Sequence, residues 1–415
     1  METSSELKLE QIFNDHGQWM LDNAHLTHDQ FSALTDILRC RTPEMGGYLE
    51  KCPDCDHQEY RYNSCSNRNC PKCQWLRQIR WSIKQLDTFL SVPHHQVVFT
   101  LPGILRKLCR KNEKFIHNKI LQLGAETLKE CIYKHFSIEA GILSVLHTWN
   151  RKLGYHPHSH NCVSCGGLTP YGQWKSISHD YLIDSKELRS VFKEKMVDAI
   201  VGAYRNGELK LRGNLSLPYM FAKMMLKAYK SKWVTHVEKP DGKKKRLVQY
   251  LSSYVCRIGI SDGRIKSYKN DLVTFIVRDD ETITIPAREF IKRYLQHVVP
   301  KGFHKVRNYG LYSSAKRGKD LVLAKYLVPE DEEVEVGDKY EDVKNTEDWQ
   351  DLVTEFTGKD PRLCPKCGAT LERESFGSPW IGKKKEQKKA PLYRNEINCS
   401  VNFIEQTQQG VVNLA

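Results

Sequence analysis

No stretch of the sequence approaches the roughly 20 consecutive apolar residues that cross a bilayer, which excludes a membrane-spanning helix. The opening residues, METSSELKLEQIF, carry acidic side chains and no apolar core segment, which argues against a secretory leader. Repeats of solenoid length are also missing, which removes stacked-repeat architectures. With neither span nor leader, the expectation is a cytoplasmic protein that does not engage a membrane. In that reducing compartment its 14 cysteines stay free of disulfides, and clustered thiols point to metal.

What is present is ordinary in bulk and uneven in detail. The chain has 415 residues, enough for two or three domains with cores of their own. Hydrophobic residues make up 40% and charged residues 27%, as in other globular proteins. Charge is the departure: 64 Lys and Arg against 50 Asp and Glu give a net +14, which suits a polyanionic partner.

Periodicity divides the chain into three parts. Residues 1–92 read as a helical, cysteine-rich unit. The amphipathic stretch 9–38 predicts one or two helices there, and WLRQIRWSIKQLDTFLSV predicts another. Residues 93–328 mix strands and helices. Strands are expected at Gln96–Leu101, over ILSVLHTW, over HPHSHNCVSC and at LVTFIV and ETITI. Helices are expected from Ile104 to Phe136, from Ser185 to Tyr229 and over REFIKRYLQHV. The elements do not alternate strictly, so the fold class is α+β rather than a doubly wound sheet. Residues 329–415 open on an acidic run and read as a linker, followed by a tail with a CPKCG motif.

Two CxxC knuckles stand in CPDCDHQEYRYNSCSNRNCPKCQW. Two residues between cysteines let both sulfurs face one ion, so Cys52, Cys55, Cys70 and Cys73 predict a tetrahedral zinc site. Four thiolates leave no open position, and such a zinc is structural. Cys65 is an alternative ligand, and Cys40 and His57 lie close enough to compete. The knuckle of Cys364 and Cys367 has no evident partner pair, although Cys399 offers a single thiol. Arg61, Arg68, Lys72, Arg77 and Arg80 surround the first cluster and form a candidate surface for DNA phosphates.

The segment His156–His160 reads HPHSH. Alternate residues of a strand share a face, so His158 and His160 can hold one metal, with His156 on the same side. Pro157 suits an edge strand or a strand's first residue. His147, on the neighbouring predicted strand, is the first candidate for a third ligand, and Gln249 is a weaker one. Further along, the lysine-rich turn of Lys243, Lys244 and Lys245 precedes VQYLSSYVCRI. If that run is helical, Tyr250 and Tyr254 lie one turn apart on one face. Paired tyrosines are usually packing residues. Beside a histidine metal site in a basic protein, they fit a pair of nucleophiles acting on phosphodiesters, with magnesium or manganese as the ion.

These segments together resemble the rolling-circle insertion-sequence transposases of the IS ninety-one type, two-tyrosine members of the HUH endonuclease superfamily. The resemblance covers most of the chain. It rests on five segments in the family's order: NSCSNRNCPKCQ, VVFTLPGILR, LHTWNRKLGYHPHSHNCVSCGG, YLSSYVCRIGISDGRI and FIKRYLQHVVPKGFHKVRNYGL. It implies a sheet of ferredoxin-like character bearing the histidines, a bacterial setting, and single-stranded DNA at element ends as the partner. His158 and His160 take the metal-ligand roles, and Tyr250 and Tyr254 the nucleophile roles. One position departs from the family: the residue between the two histidines is usually bulky and apolar, and here it is Ser159, whose side chain is expected to face the core. Two other functions fit parts of the pattern, a plasmid-type replication initiator with the same nicking chemistry and a non-catalytic zinc-dependent DNA-binding regulator. A monomer is one reading of the oligomeric state.

Overall fold

In the computed structural model the described residues are 8–86, 88–240, 259–278, 281–329 and 348–377. Tyr250, Tyr254, Gln249, Lys243, Lys244, Lys245 and Cys399 lie outside them. No helix among the described residues is long and apolar enough to cross a membrane.

The N-terminal amphipathic stretch forms two helices, α1 (Lys8–Asn23) and α2 (His28–Arg39). Thr27 ends the ambiguity between one helix and two. Its hydroxyl accepts from the Gln30 amide at 3.3 Å, and the Gln30 side chain accepts from the Thr27 amide at 3.0 Å, a reciprocal cap that starts a new helix. A short hairpin follows, β1 (Gly47–Lys51) and β2 (Gln58–Tyr62), and then α3 (Gln74–Leu86).

The central sheet is built from β3 (His94–Thr100), β4 (Glu139–Trp149), β5 (Tyr155–Leu168), β6 (Trp174–Ser176), β7 (Val234–Glu238) and, after a second small sheet, β11 (Val306–Gly310). Its order is β11-β4-β5-β3-β7, with β6 paired to β5, and every pair is antiparallel. The helix expected from Ile104 to Phe136 is interrupted. It comprises a 3-10 turn, α4 (Arg106–Lys111) and α5 (Glu113–Phe136). Asn112 makes the break, donating to the Leu108 and Lys210 carbonyls and accepting from the Lys210 amide at 2.7 Å. The helix expected from Ser185 to Tyr229 is likewise two, α6 (Ser185–Arg205) and α7 (Pro218–Lys230), separated where Gly207 takes a φ of 69°. Pro218 opens the second, where its missing amide hydrogen costs nothing.

The two faces of the sheet have different covers. Ile142 and Leu146 of β4 and Val163 of β5 join the main core with α5 and α6. Leu143, Val145 and Cys162 point the other way, beneath Phe89–Val92 and α9 (Asp320–Leu327). That second cover extends over only one end of the sheet among the described residues. His147, His158 and His160 continue the same face beyond it.

A three-stranded sheet, β8 (Ile265–Lys269), β9 (Leu272–Arg278) and β10 (Glu281–Pro286), leads into α8 (Ala287–Leu295). The N-terminal helices pack here: Phe13, Leu34 and Ile37 share a core with Phe275, Phe290 and Tyr294. The last described segment folds back to the start of the chain. Helix α10 (Trp349–Thr357) buries Leu352 against Ile79 and Ile83 of α3, and β12 (Glu372–Phe376) pairs with β1. A section that reads as linker and tail is therefore part of the N-terminal module.

Candidate active site and thiol clusters

Antiparallel pairing sets His147 of β4 directly opposite His158 of β5. The strand period adds His160 on the same face, and one ligand nitrogen from each of the three comes within 4.8 Å of the others. The Nδ1 of His158 lies 2.7 Å from the His156 carbonyl oxygen, which can only accept. The proton is thereby fixed on Nδ1, which leaves the lone pair on Nε2, the nitrogen that faces His160. That Nε2 stands 3.1 Å from the Nε2 of His160. Two ligands at right angles, each about 2.1 Å from an ion, would be about 3.0 Å apart, so the pair has the spacing that a divalent ion needs. Burial pushes His158 down to about 4, which keeps it neutral and able to bind metal at physiological pH. Trp149 stacks on His147 at 4.4 Å between centroids and limits its rotation.

The histidines open on a cleft of about 790 Å³. Its rim includes Arg151, Lys152, Arg264 and Arg278, against Glu281 as the one carboxylate among the described lining residues. Lys152 meets Glu281 at 3.3 Å, and Arg264 donates to the carbonyls of Arg151 and Ile276 at 2.6 Å. Gly259, the first described residue after the tyrosine segment, also lines this cleft.

Ser159 points away from the metal face and is completely buried. It accepts from the Asn161 side chain at 3.0 Å, and Asn161 also donates to the Val97 carbonyl and accepts from Ser144 at 2.7 Å. A Cβ placed on Gly124 of α5 would come within 3.3 Å of the Ser159 oxygen. The small, hydrogen-bonded serine therefore lets α5 approach the sheet closely, where a bulky residue would hold it off.

The cysteines sort differently from the sequence reading. Cys52 and Cys55 do not share a site with Cys70 and Cys73. One quartet is Cys40, Cys65, Cys70 and Cys73, and the other is Cys52, Cys55, Cys364 and Cys367. In the first, Cys40 and Cys73 sulfurs are 3.5 Å apart and those of Cys65 and Cys73 are 3.8 Å apart. Sulfurs at the corners of a zinc tetrahedron, about 2.3 Å from the ion, are about 3.8 Å from one another. Hydrogen bonds among the four thiols pull Cys73 down and push Cys65 up. The correction has a physical cause. Local spacing makes a knuckle, but the hairpin β1–β2 carries Cys52 and Cys55 away from the end of α2, where Cys40 waits. Cys65 is a member of the first quartet together with Cys70 and Cys73, not a substitute for one of them.

The basic residues near the thiols also divide. The Lys72 side chain is only 4% exposed; its ammonium meets Glu10 at 2.6 Å and donates to the Cys40 carbonyl at 2.8 Å. Arg68 donates to the carbonyls of Phe303, Val299 and Pro300 at 2.6, 3.2 and 3.0 Å. Both are internal braces, which corrects their expected place on a DNA surface. Arg61 pairs with Glu50 and Glu59. Arg77 and Arg80 are exposed on α3, three residues apart and hence on one face. Sequence reasoning missed the cationic rim and Trp149. The tryptophan had a signal, since it lies two residues from His147 on the same strand face; the rim residues come from distant loops and had none.

A family profile described as "Transposase zinc-binding domain" matches residues 12–101, and one described as "Putative transposase" matches residues 141–319. Two curated relatives align along most of their length. "Putative transposase y4qJ" of Sinorhizobium fredii is 29% identical over 373 residues, 86% of this chain and 92% of the relative. "Transposase for insertion sequence element IS801" of Pseudomonas savastanoi pv. phaseolicola is 26% identical over 384 residues, 88% of each. No solved structure matches the chain. An α+β chain with a zinc-binding module and these relatives is a transposase by class. It belongs to the rolling-circle insertion-sequence transposases of the IS ninety-one type.

Proposed function

We propose that the chain nicks and rejoins single-stranded DNA at the ends of its insertion sequence through a 5′-phosphotyrosine intermediate. The observation that carries this reading is the convergence of His147, His158 and His160 on an open cleft with a cationic rim. Gly259 on that rim gives the argument its second half. Tyr254 precedes it by five residues, and a chain of five residues reaches at most about 18 Å. Tyr250 and Tyr254 are the proposed nucleophiles.

A phenol, with a pKa near 10, is a weak nucleophile at neutral pH. A divalent ion held by the three imidazoles would polarise the scissile phosphate and offset the charge developing on it. Arg151, Lys152 and Arg278 draw the DNA backbone into the cleft and favour the loss of the phenol proton. The phenolate oxygen bonds to phosphorus as the bond to the 3′ oxygen breaks, and that oxygen leaves as a 3′-hydroxyl. Because the phosphotyrosine keeps the bond energy, a 3′-hydroxyl can reverse the step without ATP. The second tyrosine provides for a second strand end. Three nitrogen donors suit manganese better than magnesium, which prefers oxygen. The central sheet, with histidines on two adjacent antiparallel strands and helices on the opposite face, fits the ferredoxin-like HUH arrangement. We assign catalysis to residues 93–328 and the grip on DNA to the N-terminal thiol module, chiefly to Arg77 and Arg80.

Purified protein incubated with labelled single-stranded element ends and manganese should yield a covalent adduct on a denaturing gel. The adduct should vanish in the Tyr250→Phe, Tyr254→Phe double variant. Its persistence there would move the nucleophile elsewhere.

A further inference from the structure

The second quartet joins residues more than three hundred positions apart and lies partly outside the matched zinc-binding segment, which ends at residue 101. Sulfurs of Cys52 and Cys367 are 3.4 Å apart, and those of Cys55 and Cys364 are 3.6 Å apart. A disulfide needs about 2.05 Å and would link only two of the four, whereas a tetrahedral ion takes all four at about this spacing. Each knuckle is locally formed. The Cys52 amide donates to the His57 carbonyl at 3.0 Å, and the Cys364 amide to the Ala369 carbonyl at 2.8 Å. Gly368, at a φ of 82°, turns the chain after the second knuckle in a conformation that side-chain-bearing residues avoid.

The sheet that carries the two knuckles has little hydrophobic burial of its own. The local core is Cys52, Cys364 and Leu371, with Cys55 and Ala369 packed against it. Most residues of β2 and β12 are exposed. Glu50 at the middle of the sheet is a charge, 3% exposed, bridged to Arg61 on one side and to Arg373 at 2.7 Å on the other. A three-stranded sheet with so little apolar area needs another source of stability, as small metal-bound units do.

We propose that Cys52, Cys55, Cys364 and Cys367 bind a second structural zinc ion, which clasps residues 348–377 to the N-terminal module and so braces α3. That helix starts beside Cys73 of the first quartet and leads towards β3 of the central sheet. Helix α10, carried by the clasped segment, covers α3 through Leu352, and its Phe356 meets Trp75 edge-on at 6.5 Å. The second ion therefore fixes the helix that joins the thiol module to the catalytic sheet and displays Arg77 and Arg80. This inference stands on the thiol geometry and is independent of the nicking mechanism.

The test is the zinc content of the full-length chain by mass spectrometry of the metal. With the histidine site removed by His158→Ala, two zinc ions per chain are expected, falling to one when Cys364→Ser and Cys367→Ser are added. One ion in the His158→Ala chain, or two retained after the cysteine changes, would overturn the proposal. Replacement of zinc by cobalt in the unaltered chain gives a check that does not depend on the variant's folding. Thiolate-to-cobalt charge-transfer intensity should correspond to two tetrathiolate sites, and intensity for one would count against the clasp. In limited proteolysis the variant should become cleavable within 348–377 while α1 and α2 stay protected; an unchanged cleavage pattern would refute the bracing role.

Discussion

His147 and His158 face each other across the β4–β5 ladder, and Trp149 stacks on the first of them while the His156 carbonyl orients the second. Two strands thus supply three imidazoles, with orientation built in before any ion arrives.

Replacement of His147 by Ala should weaken manganese binding by more than the roughly 10–100-fold typical of a residue that merely orients a ligand. Trp149→Leu should fall within that smaller range, because it leaves all three nitrogens in place. Calorimetric titration of each variant checks the order. Equal binding by His147→Ala and the unaltered chain would place the third ligand elsewhere.

Ser159→Leu should destabilise this chain. The added carbons meet Phe99 and α5 at Gly124, and the Asn161 amide loses an acceptor. Overpacking of a close contact typically costs about 1–3 kcal/mol. Urea denaturation of the purified variant should show that loss, and unchanged stability would contradict the close helix approach.

Arg68 and Arg80 should separate stability from DNA binding. Arg68→Ala removes three hydrogen bonds from a guanidinium to main-chain carbonyls and should cost about 3 kcal/mol of folding stability. Arg80 is exposed, so Arg80→Ala should stay within about 0.5 kcal/mol in stability. It should instead reduce the salt dependence of DNA binding by about one phosphate contact. Thermal melts and binding titrations at several salt concentrations distinguish the two.

Acid should destabilise the fold through its buried imidazoles. Burial, with help from Lys305 and Arg110, pushes both His117 and His297 down to about 3. The unfolded chain, with histidines near 6.5, binds more protons below that pH, so stability is full above 6.5 and falls as pH drops towards 3. At pH 5 the loss is about 2 kcal/mol per histidine. Denaturation midpoints at pH 7.5, 6 and 5 should decline in that order, and His117→Asn should flatten the slope.

Several features were legible before folding was considered. Alternation along 156–160 placed His158 and His160 on one face and turned Ser159 inward, because the period of a strand is fixed by its backbone. The α+β class followed from strands and helices that do not alternate. Interruptions were less legible. Asn112 breaks a helical run by bonding to Lys210, a residue almost a hundred positions away, and no local pattern announces such a partner. The fates of Arg68 and Lys72 were equally hidden, since a basic residue near a thiol cluster can face phosphate or carbonyl with the same neighbours in sequence.

The sequence by itself determined the local chemistry: which cysteines form knuckles, which histidines share a strand face, and which runs can be strands or helices. Only the tertiary structure decided which knuckles come together, that His147 joins His158 and His160, and that residues 348–377 return to the N-terminal module. The physical reason is range. Backbone periodicity and turn geometry act over a few residues, whereas a tetrahedral or octahedral site closes through space, between segments whose meeting depends on the packing of everything between them.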